Sequence, residues 1–374
     1  MQYIINYSFM ILNLFIYIYI FSKENIKKLR ISTLISVFIY MLSIYLSIIT
    51  KTSSSTYIEG MGYKGWFESG NSISSILILS AYIYLPLIKT KKYKIAVIIN
   101  LILVGIYLTT LIGTRVGLYG FILVIFSFII SEIITYFIKN KKINKKILLT
   151  GIAIIGITIT IITIIGSNTL ERRKHLQEIE GNIVDENTNE ESHITGSLLE
   201  IKKQIEEKTI EEGYLSKAQE ESILELYDIA NELKIKNNDQ RMQQLIYNTI
   251  LVKNQKDISL ILFGNGYLSN YRELVFEMEV PAILFNFGIL GFIIYLMPFI
   301  SIIIYSIYIG IKNIKEITSQ YILTMLGSML VFALSFLSGY TFFNSSTMII
   351  IVVLHTLLIN ETLKLKDEKR QIKI

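Results

Sequence analysis

The sequence predicts an all-α, polytopic integral membrane protein of about nine transmembrane helices with one large extracytoplasmic helical loop. Three observations predict it. The chain is 52% hydrophobic with a mean hydropathy of +0.51. Runs of 17 or more nearly uncharged residues recur, long enough to cross about 30 Å of hydrocarbon as helix. Charge is strongly partitioned: residues 167–280 hold 22 of the 30 acidic residues and 13 of the 36 basic ones, for a formal charge of −9, whereas the remainder is +15. One acidic, water-exposed insert thus interrupts a bundle of spans.

The spans fall at roughly 3–21, 31–49, 73–88, 95–112, 118–138, 147–166, 281–309, 320–338 and 342–360. Isoleucine dominates them, and in hydrocarbon the need to satisfy backbone polar groups enforces helix whatever the propensity. This divides the chain into an N-terminal bundle (1–166), the insert (167–280) and a C-terminal bundle with a basic tail (281–374). The N-terminus has no basic n-region and no small-residue cleavage site, so residues 3–21 read as a span rather than a signal peptide.

Bases alternate between connections. The segments after the first, third, fifth, seventh and last spans carry 20 of them, and the short opposite segments carry Lys51, Lys64 and Arg115. The positive-inside rule puts the 20-base side in the cytoplasm. The N-terminus and the insert are then outside and the C-terminus inside, in a multi-pass cell-membrane protein.

Within the insert, residues 180–193 are polar and expected to be loose. Ser216 begins a helix with Gln219 in the capping-box position, and Ile223, Leu226, Ala230 and Leu233 recur at helical spacing. Asn238 or Asp239 starts another, with Met242, Leu245, Ile246, Thr249 and Ile250 on one face. With no cysteine and three scattered histidines, disulfides and Cys-ligated zinc are excluded and a histidine-rich metal site is not expected. No nucleotide motif is present, so neither a cofactor nor nucleic acid is expected as a partner.

Polar features gather on the outer side. Gly113-Thr114-Arg115 occupies the turn between spans four and five. A guanidinium there suits phosphate oxygens, although a snorkelling or capping arginine would look the same. Arg241 opens an amphipathic helix; alone it would be a solvated surface charge. Gly264-Asn265-Gly266-Tyr267 reads either as a plain tight turn before re-entry or as one whose glycines let backbone N–H groups approach a ligand. Glu277 and Glu279 precede Pro281 and are read either as a base or hydroxyl-orienting group or as water-exposed interfacial carboxylates. Trp66, Phe67 and Tyr340 read as interfacial aromatics, and His355 as a packed residue on a span.

Taken in order, these pieces resemble the O-antigen ligase and Wzy-type polysaccharide polymerase family, of the Gram-positive capsule or exopolysaccharide type. The resemblance runs from about residue 60 onward. It rests on Gly65-Trp66-Phe67 with Gly70-Asn71, on Gly113-Thr114-Arg115 with Gly117, and on Asp239-Gln240-Arg241. Leu262-Phe263-Gly264-Asn265-Gly266-Tyr267 and Glu277-Met278-Glu279, followed by Phe287-Gly288-Ile289-Leu290-Gly291, complete it. Where many relatives carry Gly-His this chain has Gly339-Tyr340, so any role of that histidine is either lost here or passes to Tyr340. Relatives usually carry additional N-terminal spans and a cytoplasmic N-terminus, so the resemblance implies either a shortened member or a truncated reading frame.

The resemblance implies a GT-C-like glycosyltransferase, a polymerase or ligase of undecaprenyl-diphosphate-linked oligosaccharide on the outer face of the membrane. It implies Arg115 and Arg241 on the diphosphate and Glu277 or Glu279 on the acceptor hydroxyl. Asn71, Lys64, Gly264, Gly266, Tyr267, Arg272 and Tyr340 would contact substrate, without a metal. The implied partners are the lipid-linked glycan, membrane lipid, a flippase and a chain-length regulator. Two other classes compete. A lipid-linked glycan transporter or flippase would place charge along the middle of spans, whereas here it gathers at the outer edge. A non-catalytic receptor or scaffold would need neither Arg241 nor the Gly264–Gly266 turn.

Overall fold

The structure, a computed structural model, describes residues 2–21, 26–57, 60–139, 145–175, 197–210, 214–233, 235, 240–266, 274–337, 339 and 341–372. Helices cover all nine expected spans. They are α1 (Gln2–Ile20), α2 (Ile26–Ile49), α3 (Gly70–Tyr84, continued by a 3-10 turn Leu85–Lys89), α4 (Lys94–Ile106, continued by a π turn Tyr107–Leu111), α5 (Arg115–Lys139) and α6 (Lys145–Ile165). After the insert come α12 (Glu279–Lys312), α13 (Ser319–Leu337) and α14 (Ser345–Ile372). Among the described residues seven are long and apolar enough to cross a membrane; α6 makes an eighth if joined to the short helix α7 (Asn168–His175), bent from it by 50°. The described apolar part of α1, Ser8–Ile20, is shorter. The protein is thus an all-α polytopic membrane protein. The chain divides into two compact units, residues 1–178 with 298–374, and residues 179–297.

In the first unit α3 is the central helix, 94% buried and packed by α2, α5, α13 and α14. Its buried Ser72, Ser74, Ser75 and Ser80 are small enough to let neighbouring backbones approach, the usual device where lipid removes any hydrophobic drive between helices. Glycines on the neighbours complete the fit. A Cβ on Gly120 of α5 would sit 2.3 Å from Ile78, and one on Gly327 of α13 would sit 2.7 Å from Tyr82. The Tyr82 hydroxyl meets Ser127 Oγ at 2.9 Å, which satisfies a phenol that would otherwise be costly to bury. His355 is fully buried on α14, edge-on to Phe299 at 4.9 Å, and its Nδ1 meets the Ile351 carbonyl at 2.9 Å. It is the packed residue the sequence predicts.

Contacts sort the connections of this unit into two ends. At one end Lys89 pairs with Glu132 at 2.6 Å, Lys139 donates to the Glu316 carbonyl at 3.2 Å, and Lys27 lies 6.0 Å from the Tyr93 ring. Arg30, counted with the loop bases in the sequence, is instead a residue of α2 and only 2% exposed. It pairs with Glu361 of α14 and also bonds the Ile83 carbonyl and Thr324 Oγ1. Burial of a guanidinium is tolerated because a carboxylate compensates it; removing one partner of such a pair costs about 3–5 kcal/mol.

The second unit holds α8 (Ser197–Glu206), α9 (Lys217–Glu232), α10 (Gln240–Gln255), α11 (Ser259–Phe263) and the first part of α12. The expected capping box is present: the Gln219 N–H donates to Ser216 Oγ at 3.3 Å, and Gln219 Oε1 accepts the Ser216 N–H at 2.8 Å. Ile223, Leu226 and Ala230 of α9 join Leu198, Tyr247 and Leu251 in one apolar core. Leu233 does not; it lies past the helix end and is exposed. The expected face of α10 is rotated too. Met242 and Thr249 face out, and Gln243, Gln244, Tyr247 and Asn248 face in. One of the inward amides, Gln244, holds the backbone of Glu277, as shown below. The stretch 180–193, with Asn238 and Asp239, lies outside the described residues.

A clip ties α9 to α10: Glu225 accepts from Lys253 Nζ at 2.8 Å and from Asn254 Nδ2 at 3.3 Å. The Lys253 and Asn254 hydrogen bonds hold the Glu225 carboxyl below the usual carboxylate range. A depressed carboxylate contributes stability at neutral pH that is lost as pH falls through its folded value, so the clip weakens in acid. The apolar core carries more. Leu226→Ala is expected to cost about 2–5 kcal/mol, read as faster amide exchange across α8–α10 in the full-length protein, whereas Glu225→Gln should change it little. Equal exchange in Leu226→Ala and wild type would contradict this core.

Candidate functional site

In the first unit, two loops and a helix start build a platform around Arg115. A two-stranded hairpin, β1 (Ser54–Ser55) and β2 (Tyr63–Gly65), lies ahead of α3. Between the strands Gly62, at φ +75°, presses on the α4–α5 turn: a Cβ there would lie 2.3 Å from the Ile112 carbonyl oxygen. Gly113 turns the chain at φ +80°, a conformation costly for residues with a Cβ. Thr114 then caps α5, its Oγ1 accepting the Gly117 N–H at 3.0 Å and meeting Ser74 Oγ at 2.8 Å. Arg115 is the first residue of α5. Its side chain is exposed and makes no hydrogen bond or ion pair among the described residues. A guanidinium beside the positive end of a helix dipole is a position suited to an anion.

The start of the insert closes this platform. Ser167 Oγ donates to the Thr109 carbonyl at 2.6 Å, Asn168 Nδ2 to the Leu111 carbonyl at 2.9 Å and Thr169 Oγ1 to the Thr114 carbonyl at 3.3 Å. They supply donors to carbonyls in and just after the π turn, where the regular i→i−4 ladder is disturbed. One turn on, the Arg172 guanidinium stacks on the Tyr57 ring at 3.4 Å, a cation–π contact. Sequence reasoning missed Arg172, reading it only as one charge of the insert; the one available signal was its place in Arg172-Arg173-Lys174 directly after a span. Nearby, Lys64 Nζ donates to the Glu68 carbonyl at 3.0 Å, Trp66 is exposed with Nε1 on Thr52 Oγ1 at 2.9 Å, and Asn71 sits in the first turn of α3.

In the second unit Arg241 and Glu277 come together. Arg241 Nε lies 3.3 Å from Glu277 Oε2, and both side chains are about two-fifths exposed, at 41% and 45%. The Glu277 N–H donates to Gln244 Oε1 at 3.0 Å, so the inward amide of α10 fixes the backbone that presents this carboxylate. Gln244 is a positioning residue that the sequence did not single out. Glu279 is different: it is fully buried in the first turn of α12.

The Gly264–Gly266 turn has a definite structural partner. α12 is interrupted at Gly288, whose φ of +66° and ψ of −170° are not helical. Such a break takes the preceding carbonyls out of the i→i−4 ladder. The Phe285 carbonyl accepts the Asn265 N–H at 2.8 Å, and the Asn286 carbonyl accepts the Gly266 N–H at 3.0 Å. Backbone lies on backbone here. A Cβ on Gly264 would sit 2.4 Å from the Asn286 carbonyl carbon, and one on Gly288 would sit 2.3 Å from the Leu262 carbonyl oxygen. The two glycine motifs, 24 residues apart in sequence, form one contact. Tyr267, Arg272 and Tyr340 lie outside the described residues. No group of three or more potential metal ligands occurs among the described residues.

The family model for O-antigen ligase-like membrane proteins matches residues 1–365. The chain belongs to this family. Comparison with curated proteins and with solved structures found no match. The family supports, in general, a membrane ligase or polymerase of lipid-linked glycan. Its match takes in both halves described here, the Arg115 platform and the Arg241–Glu277 pair.

The glycine contact is testable by substitution. Gly288→Ala combines a disfavoured φ with a backbone clash, for a cost of about 2 kcal/mol or more, and should lower the melting temperature of the purified protein clearly. Gly156→Ala on α6, where a Cβ would meet nothing within 4 Å, should leave it unchanged or slightly raised. Equal melting of the two variants would contradict the docking of the turn on the α12 break.

Proposed function

We propose that this protein is a glycosyltransferase that polymerises, or ligates, oligosaccharide repeat units carried on undecaprenyl diphosphate, for a capsule, exopolysaccharide or O-antigen-like polymer. Chemistry takes place on the outer face, the side opposite the 20-base end by the positive-inside rule. The observation that carries this reading is Arg115. An exposed guanidinium without a protein partner among the described residues stands at a capped helix start, in a protein of a glycan-ligating family.

The reaction is a single displacement. An acceptor hydroxyl attacks the anomeric carbon, the bond from that carbon to the diphosphate oxygen breaks, and lipid diphosphate departs with the electron pair. The hydroxyl proton passes to a carboxylate. Diphosphate is already a good leaving group, so the protein's main contributions are charge stabilisation and positioning. Arg115 and Arg241 each supply charge to the diphosphate, with Arg172 as a further cation beside the Arg115 platform. Glu277 suits the acceptor better than Glu279, because it is exposed and already oriented by Arg241 and Gln244. Lys64, Asn71, Tyr267, Arg272 and Tyr340 are assigned to substrate contact, and so are Gly264 and Gly266, although not through their N–H groups, which the Leu260 and Asn286 carbonyls take. A flippase and a chain-length regulator would act with it.

Purified protein given lipid-linked repeat units should release lipid diphosphate. Arg115→Ala and Arg241→Ala should each lower the rate by about 10²-fold or more, and Glu277→Gln by about 10²–10⁴-fold, with the protein still folded. Release at the wild-type rate by both arginine variants would overturn these assignments.

A further inference from the structure

The second unit carries an apolar surface that its own core does not cover. α11 is a short helix of Ser259, Leu260, Ile261, Leu262 and Phe263, and none of its residues is buried. Ile258, Ile261, Leu262 and Phe263 are between 45% and 79% exposed. Contiguous apolar surface of this kind marks a contact, whereas a lone exposed leucine such as Leu233 needs no explanation.

The position of α11 decides what covers it. The turn that follows it is docked on α12 through Asn265 and Gly266, and the Leu262 carbonyl lies against Gly288. α12 is long and apolar enough to cross a membrane. Gly288 stands nine residues beyond Glu279, the first residue of α12, which is roughly 13 Å of helix. No charged residue lies between Glu279 and Lys312. α11 is thus level with an uncharged stretch of a span, and Leu284, Ile289 and Leu290 at that level are exposed as well. The backbone fits the same place. N–H groups at membrane depth must find partners within the protein. Those of Ser259, Leu260 and Ile261 bond to Asp257 and Ile258, and those of Gly264, Asn265 and Gly266 to carbonyls of α11 and α12. Just ahead, Lys256 is exposed, and a lysine at the edge of an apolar segment extends to the headgroup layer.

We propose that α11 is a membrane-interface helix. Ile258, Ile261, Leu262 and Phe263 rest among the acyl chains of the leaflet on the insert's side, and they hold the Gly264–Gly266 turn at headgroup level. The partner is the lipid surface itself, bound through apolar burial rather than through recognition of one headgroup. The inference does not depend on glycosyl transfer.

The chain contains no cysteine, so a nitroxide label can be placed on one chosen residue. The full-length protein, labelled at Phe263→Cys, Ile261→Cys or Leu233→Cys, is reconstituted in vesicles of phosphatidylglycerol and phosphatidylcholine. Collisions of the label with oxygen, which concentrates in lipid, are compared with collisions with a water-soluble nickel chelate. At Phe263→Cys and Ile261→Cys oxygen should have free access, and the oxygen-to-nickel ratio should be severalfold higher than at Leu233→Cys, an exposed position past the end of α9. A ratio at both α11 positions no higher than at Leu233→Cys would place α11 in water and overturn the proposal. Low access to both reagents at both α11 positions would show that protein covers the helix, from this chain or from a second copy, and would overturn it as well.

Discussion

A backbone inside hydrocarbon has no water to bond with, so each place where a helix is broken must be repaired from within the protein. That constraint organises this chain. The π turn at the end of α4 has its carbonyls met by Ser167 and Asn168, which arrive from the start of the insert. The break in α12 at Gly288 has its carbonyls met by the N–H groups of Asn265 and Gly266, which arrive from the insert's end. The first repair uses side-chain donors, whereas the second lays backbone on backbone, and glycine provides the room: Gly264 over Asn286 and Gly288 under Leu262, as Gly62 does over Ile112 beside the π turn.

The polar groups proposed for chemistry stand beside these repairs. Arg115 follows the Gly113-Thr114 cap, Arg172 lies one turn beyond Ser167, and Glu277 precedes the helix that Gly288 interrupts. A broken helix provides ends with directed dipoles, and directed dipoles suit transferring charged groups better than a continuous apolar span does. The Arg241–Glu277 pair, with Gln244 behind it, adds a cation and a carboxylate held on a small apolar core rather than on lipid-facing surface.

Much of this was legible in the chain. Hydropathy located nine helices, because length and apolar content decide whether a segment can span; most bounds agree to within about five residues, but α14 runs on to Ile372, 12 residues past the expected end of its span. The capping box at Ser216 was legible because it is local. Long-range pairings were not: Arg30 with Glu361, and Arg241 with Glu277, join residues 331 and 36 apart, and no periodicity encodes a partner. The face of α10 was misjudged because Met242 and Thr249 looked like core, while Gln243 and Gln244 looked like surface although both are buried, Gln244 with a hydrogen bond to make. The glycine motifs were visible as motifs, yet their reason, one turn docked on one helix break, required the fold. Arg172 was hidden among the charges of an acidic insert.

The central claim is that this membrane protein joins glycan units. It is tested most directly by the chain-length profile of surface glycan in cells lacking the protein, with and without the wild-type chain restored. Single repeat units should accumulate in its absence, and long chains should return with the wild-type chain. An unchanged chain-length profile in its absence, with attachment of the glycan to its acceptor also unchanged, would contradict the account.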